Sequence, residues 1–282
     1  MSNLDIVPAI IATAIFLAAT LITAYKAHRH GTWMLWSLIL SGFFLVVSYT
    51  FRAVGFRTDS DGNVRDPGLI FLADLFNSVA SFFLTWATFT LFTRLTWWTS
   101  PSSALTSHSP LWFHPRFGFP IMLAVLLIFV AAQCIPVPLI ILCGLVPQTV
   151  LLLVYLTFVF RYRSVRATFP HPRAVGEKSV FMVAAAVGIV LLVRSVLKWI
   201  AILTIDEGVR AVGVVYFFDA LQMLICFVLF NLLHPGKYLP ADFARFRLDK
   251  NAVLQRKSAD SRVAELTRET PRSSDSTGPG LV

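Results

Sequence analysis

The sequence predicts an all-α, polytopic membrane protein: a seven-transmembrane-helix bundle with the N-terminus outside and the C-terminus cytoplasmic. Three observations carry that prediction. Of 282 residues 56% are hydrophobic and only 14% charged, a balance far from that of soluble domains, so much of the chain must be matched to lipid. Apolar runs close to the roughly 20 residues that cross about 30 Å of hydrocarbon occur at 6–25, 33–51, 69–92, 118–135, 139–160, 179–203 and 211–233. The third observation is where Lys and Arg fall between those runs.

With the N-terminus outside, the inner connections hold Lys26, Arg29, Arg94, Arg116, Arg161, Arg163, Arg166, Arg173 and Lys178, and a basic tail follows His234. The outer connections hold Arg57, Arg65 and Arg210, with Arg52 at a helix end, diluted by Asp59, Asp61, Asp66, Asp206 and Glu207. This is the positive-inside pattern, and it accounts for the net charge of +9 without a nucleic-acid partner. Met1 to Asp5 lack a basic segment and no small-residue cleavage site precedes a soluble domain, so the first run reads as a membrane helix rather than a signal peptide.

Span 1 carries no charge, which suits the periphery of the bundle. Span 2 places Ser37, Ser41, Ser48 and Arg52 on one face; the arginine either pairs inside the bundle or reaches lipid headgroups. The outer connection 53–68 is a solvated loop with turn signals at Asp61-Gly62 and Pro67-Gly68. Span 3 carries Asp74, Ser78, Ser81, Thr85 and Thr88, with Asn77 beside them, at steps of three and four. Such a stripe is either a close-packed seam between helices or the lining of a pathway.

Trp97, Trp98 and Trp112 in the inner connection 93–117 suit the headgroup level. Span 4 is the shortest, and Pro136-Val137-Pro138 leaves room only for a tight hairpin before span 5, where Pro147 kinks the helix and Gln148 follows it. Span 6 carries Arg194 and Lys198 one turn apart, above the small run Ala184, Ala185, Ala186 and Gly188. Span 7 carries Asp219, with Tyr216 and Gln222 three residues to either side on the same face.

An ionisable group inside hydrocarbon is costly enough to face protein and to have a partner. At 1.5 Å per residue from the outer helix ends, Asp74 and Lys198 lie about 8 Å deep, Asp219 about 12 Å and Arg194 about 14 Å. Charges on spans 3, 6 and 7 at one level can pair only if those spans converge, and Arg52 can join from span 2. Arg52, Asp74, Asn77, Arg194, Lys198, Tyr216, Asp219 and Gln222 are therefore the candidate residues, for binding substrate or relaying charge. Two carboxylates against two or three cations leave the group balanced or positive by one, which favours a carboxylate or phosphate headgroup. The plainer reading is a salt-bridge lock that fixes helix packing.

The histidines at 28, 30, 108, 114, 171 and 234 lie in or next to inner connections, which argues against a metal site inside the membrane; no cofactor is expected. Cys134, Cys143 and Cys226 read as small hydrophobes. The transmembrane domain spans 1–235. Over 236–255, Phe243, Phe246, Val253 and Leu254 alternate with Arg245, Arg247 and Lys250, consistent with an amphipathic cytoplasmic segment on the membrane surface. The tail 256–282, rich in Ser, Thr, Pro, Gly and charge, is expected to be disordered.

Three short motifs resemble the fungal RTA-like proteins, the seven-span lipid-translocating exporter family. They are Tyr49-x-x-Arg52, Arg194-x-x-x-Lys198 where the family typically has paired arginines, and Tyr216-x-x-Asp219 followed by Met223 and His234-Pro235-Gly236. Leu45, Ala201 and Val212 stand where the family tends to have glutamates, and Asp74 is a candidate substitute. The resemblance implies a multi-pass protein of a fungal membrane, the plasma membrane being the expected one. It also implies stress resistance through movement or sensing of sphingoid bases and sterol-like or porphyrin-like compounds.

The leading expectation is a translocator or exporter of amphiphilic lipids, with membrane lipids or an amphiphilic small molecule as partner. No G-x-x-x-x-G-K-[ST] phosphate loop is present, so active transport requires ion coupling or another protein. The alternative is a seven-helix receptor or membrane-stress sensor that engages a cytoplasmic protein through its basic connections. Without a nucleophile motif or metal cluster, a hydrolase is the least favoured class and the chain is not expected to be an enzyme. The oligomeric state is not encoded in these features.

Overall fold

The computed structural model describes residues 6–30, 35–55, 67–99, 124, 128, 138–166, 176–204 and 212–238. Their regular structure is helical throughout: α1 (Ile6–Arg29), α2 (Trp36–Gly55), α3 (Pro67–Thr99), α4 (Pro138–Arg166), α5 (Glu177–Thr204), α6 (Val212–Leu232) and a 3-10 turn, Pro235–Lys237. Within α1 to α5 lie five segments long and apolar enough to cross a membrane, and Phe218–Leu232 of α6 is a shorter apolar helix. Six of the expected spans thus coincide with helices. The expected span 118–135 except residues 124 and 128, the tip of the outer connection, the amphipathic segment beyond Tyr238 and the tail lie outside the described residues.

The helices overrun their apolar stretches at one end of the bundle. There α1 continues to Arg29, α3 to Thr99 and α4 to Arg166, because backbone hydrogen bonding four residues back persists where the side chains turn polar. At 33 residues, α3 is about 50 Å long and exceeds a hydrocarbon core of about 30 Å.

Helix α3 is the centre of the architecture, in contact with α2, α4 and α5. Its pairing with α2 is antiparallel and set by serine. Ser48 Oγ donates to the Ala73 carbonyl and Ser41 Oγ to the Ala80 carbonyl, both at 2.7 Å. Seven residues back along α2 thus meet seven residues forward along α3, two turns on each, and small side chains let the backbones approach closely. Beside this seam Phe44 stacks on Phe76 and Phe83, with ring centroids 5.8 and 5.5 Å apart.

On its other side, Gln148, next to Pro147 of α4, reaches Ser81 Oγ and Thr85 Oγ1 at 3.4 and 3.5 Å. Ser81, Thr85 and Thr88 are buried and donate to carbonyls of their own helix. Over Ser81, Thr85 and Thr88 the polar stripe of α3 is therefore packed between helices.

Helix α1 is peripheral: it buries Ala9, Phe16, Thr20, Thr23 and Ala27 along one narrow line and leaves apolar residues from Val7 to Tyr25 exposed. Gly42 of α2 sits against Thr20, where a Cβ would overlap the threonine hydroxyl. Phe16 stacks on Tyr49 at 5.4 Å and meets Phe227 of α6 edge-on at 6.2 Å.

The far ends of α1 and α6 are clasped. Lys26 Nζ donates to the Asn231 carbonyl at 2.6 Å, and Asn231 Nδ2 to Thr23 Oγ1 at 2.9 Å. The lysine thereby serves a carbonyl that the end of α6 leaves without a helical partner. His30 and His234 lie ring to ring at 5.4 Å. Gly176, at φ 84°, opens α5 in the left-handed region glycine tolerates, and the Tyr238 ring occupies the space a Cβ there would need.

Candidate functional site

Near the C-terminal end of α2, four helices bring charge together inside an otherwise apolar bundle. Two of the groups belong to α2 and α3, whose serine seam fixes their register. Arg52 of α2 is buried and pairs with Asp74 of α3, whose carboxylate remains 55% exposed. The arginine therefore turns into the bundle instead of reaching for headgroups, and its guanidinium carbon also lies 5.9 Å from the Tyr49 ring centre.

One turn deeper lies a second and drier pair. Asp219 of α6 lies 2.5 Å, Oδ1 to Nε, from Arg194 of α5, with side-chain exposures of 7% and 3%. Asn77 of α3 donates through Nδ2 to Asp219 Oδ2. Helices α3, α5 and α6 meet at this carboxylate.

The contact between Arg194 and Asp219 is a charge contact without the alignment of a hydrogen bond. Arg194 Nε and Nη2, Asp219 Oδ1 and Asn77 Oδ1 are all buried with no hydrogen-bond partner among the described residues. Buried polar atoms left in this state are uncommon and costly. Lys198, one turn beyond Arg194 and partly buried, lies in the field of Arg194, Asp219, Asp74 and Arg52. Trp199 beside it donates to Thr149 Oγ1 of α4 at 3.2 Å.

Of the candidate residues, the structure brings Arg52 to Asp74, and Asn77 and Arg194 to Asp219, with Lys198 beside them. Gln222 is partly buried on α6, three residues past Asp219. The side chain of Tyr216 lies outside the described residues. Chemically the site offers three cations and two carboxylates at one level of the bundle, a surplus of one positive charge in low dielectric.

Sequence reasoning missed a second buried cluster at the opposite end. Arg166 of α4 grips Glu177 of α5 with two hydrogen bonds, Nε to Oε1 at 2.6 Å and Nη2 to Oε2 at 3.0 Å. Tyr162 donates to the same carboxylate at 3.5 Å, and its hydroxyl lies 2.5 Å from Thr99 Oγ1 of α3. In the sequence Arg166 is one of several inner basic residues and does not stand out from them. The available signal was Glu177, the sole acid in the inner connections 26–32, 93–117 and 161–178.

Together these helices define a multi-pass α-helical membrane protein with ionisable groups built into its interior. Residues 138–242 match the family model described as RTA1 like protein, which bears out the resemblance over that segment. The match takes in α4, α5 and α6 and so includes Arg194, Lys198 and Asp219, whereas Arg52, Asp74 and Asn77 precede it. No curated protein and no solved structure matches the chain.

Proposed function

We propose that the protein translocates or exports amphiphilic lipids or lipid-like toxic compounds across a fungal membrane, the plasma membrane by preference. In this reading it is a carrier and not an enzyme, a seven-span bundle with the N-terminus outside, and its charged cluster faces the outer half of the bilayer. The observation that carries the reading is the Asp219 carboxylate, held between Arg194 and Asn77 in the dry interior with polar atoms of all three residues still uncommitted. A charge kept at that depth is expensive, and a set of loosely committed partners can exchange one another for a headgroup. The RTA1-like match over α5 and α6, which carry Arg194 and Asp219, supports it.

The test is efflux of labelled sphingoid base or porphyrin from fungal cells lacking the gene, comparing intact protein with Asp219→Ala at matched surface level. Intact protein is expected to raise efflux of at least one of the two compounds and Asp219→Ala to abolish that gain. Unchanged efflux with both would sink the carrier reading.

A second reading, a receptor or membrane-stress sensor, draws on the Arg166–Glu177 pair, which ties α4 to α5 where the basic connections lie. A ligand in the outer cluster would then be read by a cytoplasmic partner at those connections. A stress response that depends on Asp219 without any efflux would favour it.

A further inference from the structure

We propose that Arg194 and Lys198 together seat one anionic headgroup, a phosphate monoester or a carboxylate. The inference rests on the carrier reading of the same site and adds the sign of the cargo's charge. Arg52 has its own acid in Asp74. Asp219 is shared: Arg194 contacts it through Nε, and Asn77 occupies its other oxygen. That leaves Arg194 Nη2 buried with no hydrogen-bond partner, on a side chain only 3% exposed.

Lys198, the next residue up that face of α5, has no ion pair within 4 Å among the described residues. The charges acting on it are those of Arg194, Asp219, Asp74 and Arg52. With Arg52 on Asp74 and Arg194 on Asp219, Lys198 is the third cation against two carboxylates, and the surplus positive charge sits among apolar helices. A bound oxyanion would cancel it.

The chemistry of the two donors agrees with that assignment. A guanidinium presents N–H groups in a fixed plane that suits the two oxygens of a carboxylate or phosphate, while an ammonium adds a flexible point charge. An amine headgroup meets the opposite situation: it would face two cations and compete for a carboxylate that Arg194 and Asn77 already hold. The site therefore discriminates between acidic and basic amphiphiles of equal chain length.

The experiment is equilibrium binding to the full chain in phosphatidylcholine nanodiscs, using four single-chain probes: oleoyl lysophosphatidate, oleate, sphingosine and mono-oleoylglycerol. The two anions are expected to bind about tenfold tighter than the neutral glyceride, as befits a charge-assisted contact. Lys198→Gln should remove that preference, and Lys198→Arg should retain it. An unaltered helical circular-dichroism spectrum in the nanodiscs shows that Lys198→Gln has folded. Full displacement of lysophosphatidate by millimolar inorganic phosphate supports the anion seat and makes the anion alone, without its chain, the recognised group.

Sphingosine binding as tightly as lysophosphatidate, or an anion preference that survives Lys198→Gln, overturns the inference and leaves the carrier reading standing. Failure of all four probes to bind overturns both.

Discussion

The two buried Arg–carboxylate pairs are equally dry and differently made. Arg166–Glu177 and Arg194–Asp219 have side-chain exposures of 4% and 5% against 3% and 7%. Yet the first is gripped by two aligned hydrogen bonds and backed by Tyr162 and Thr99. The second is a single contact that leaves polar atoms of both partners without hydrogen bonds. Burial alone does not separate a structural pair from a functional one. In the carrier reading the degree of saturation does, because a saturated pair can only be broken, whereas an unsaturated one can take on another group.

The largest effect is expected where saturation is lost. Glu177→Ala strands the Arg166 guanidinium in the interior and should cost about 3–5 kcal/mol, the range for breaking a buried ion pair. Thermal unfolding in detergent would register it, alongside a smaller loss for Asp219→Ala, whose partners are already loosely held. Equal losses from the two variants would erase the distinction drawn between the ends of the bundle.

A milder perturbation is protonation of His234, which burial, with His30 and Lys26 nearby, pushes down from 6.5 to about 4. Below pH 6.5 the unfolded chain accepts a proton that the folded one refuses. The stability contributed at the α1–α6 clasp should therefore decline as pH falls from 6.5 to about 4 and level off below that. His234→Gln should flatten this part of the profile. A pH dependence that is unchanged in His234→Gln would place the titrating group elsewhere.

The smallest effects are expected in the α2–α3 seam. Ser41→Ala and Ser48→Ala each remove a hydroxyl donor and should cost about 0.6 kcal/mol, typical of hydrogen bonds between membrane helices. The losses should add, since the sites are two turns apart. Loss of amphiphile binding in either variant would tie the seam to the charged site more closely than its geometry does.

Most of the fold was legible in the sequence because hydrocarbon thickness dictates run length, and six runs found their helices. Helix ends were less legible, since Arg29, Thr99 and Arg166 continue a backbone ladder that hydropathy does not report. Counting residues from the helix ends placed Asp74, Asp219, Arg194 and Lys198 at similar depth. It could not choose partners, because depth leaves each helix free to rotate. Arg52, rather than Lys198, proved to be the partner of Asp74. The bond between Lys26 and the Asn231 carbonyl joins residues 205 apart in sequence through a backbone acceptor that every residue possesses, so no pattern could announce it.

The serine seam also constrains how the molecule can work as a machine. Ser41 and Ser48 each rest on a particular α3 carbonyl, and the next carbonyl on that face stands about one turn, or 5.4 Å, away. A glide of an ångström or two between α2 and α3 would strand both hydroxyls at once. In the carrier reading α2 and α3 therefore move as one body, which meets α6 where Asn77 donates to Asp219.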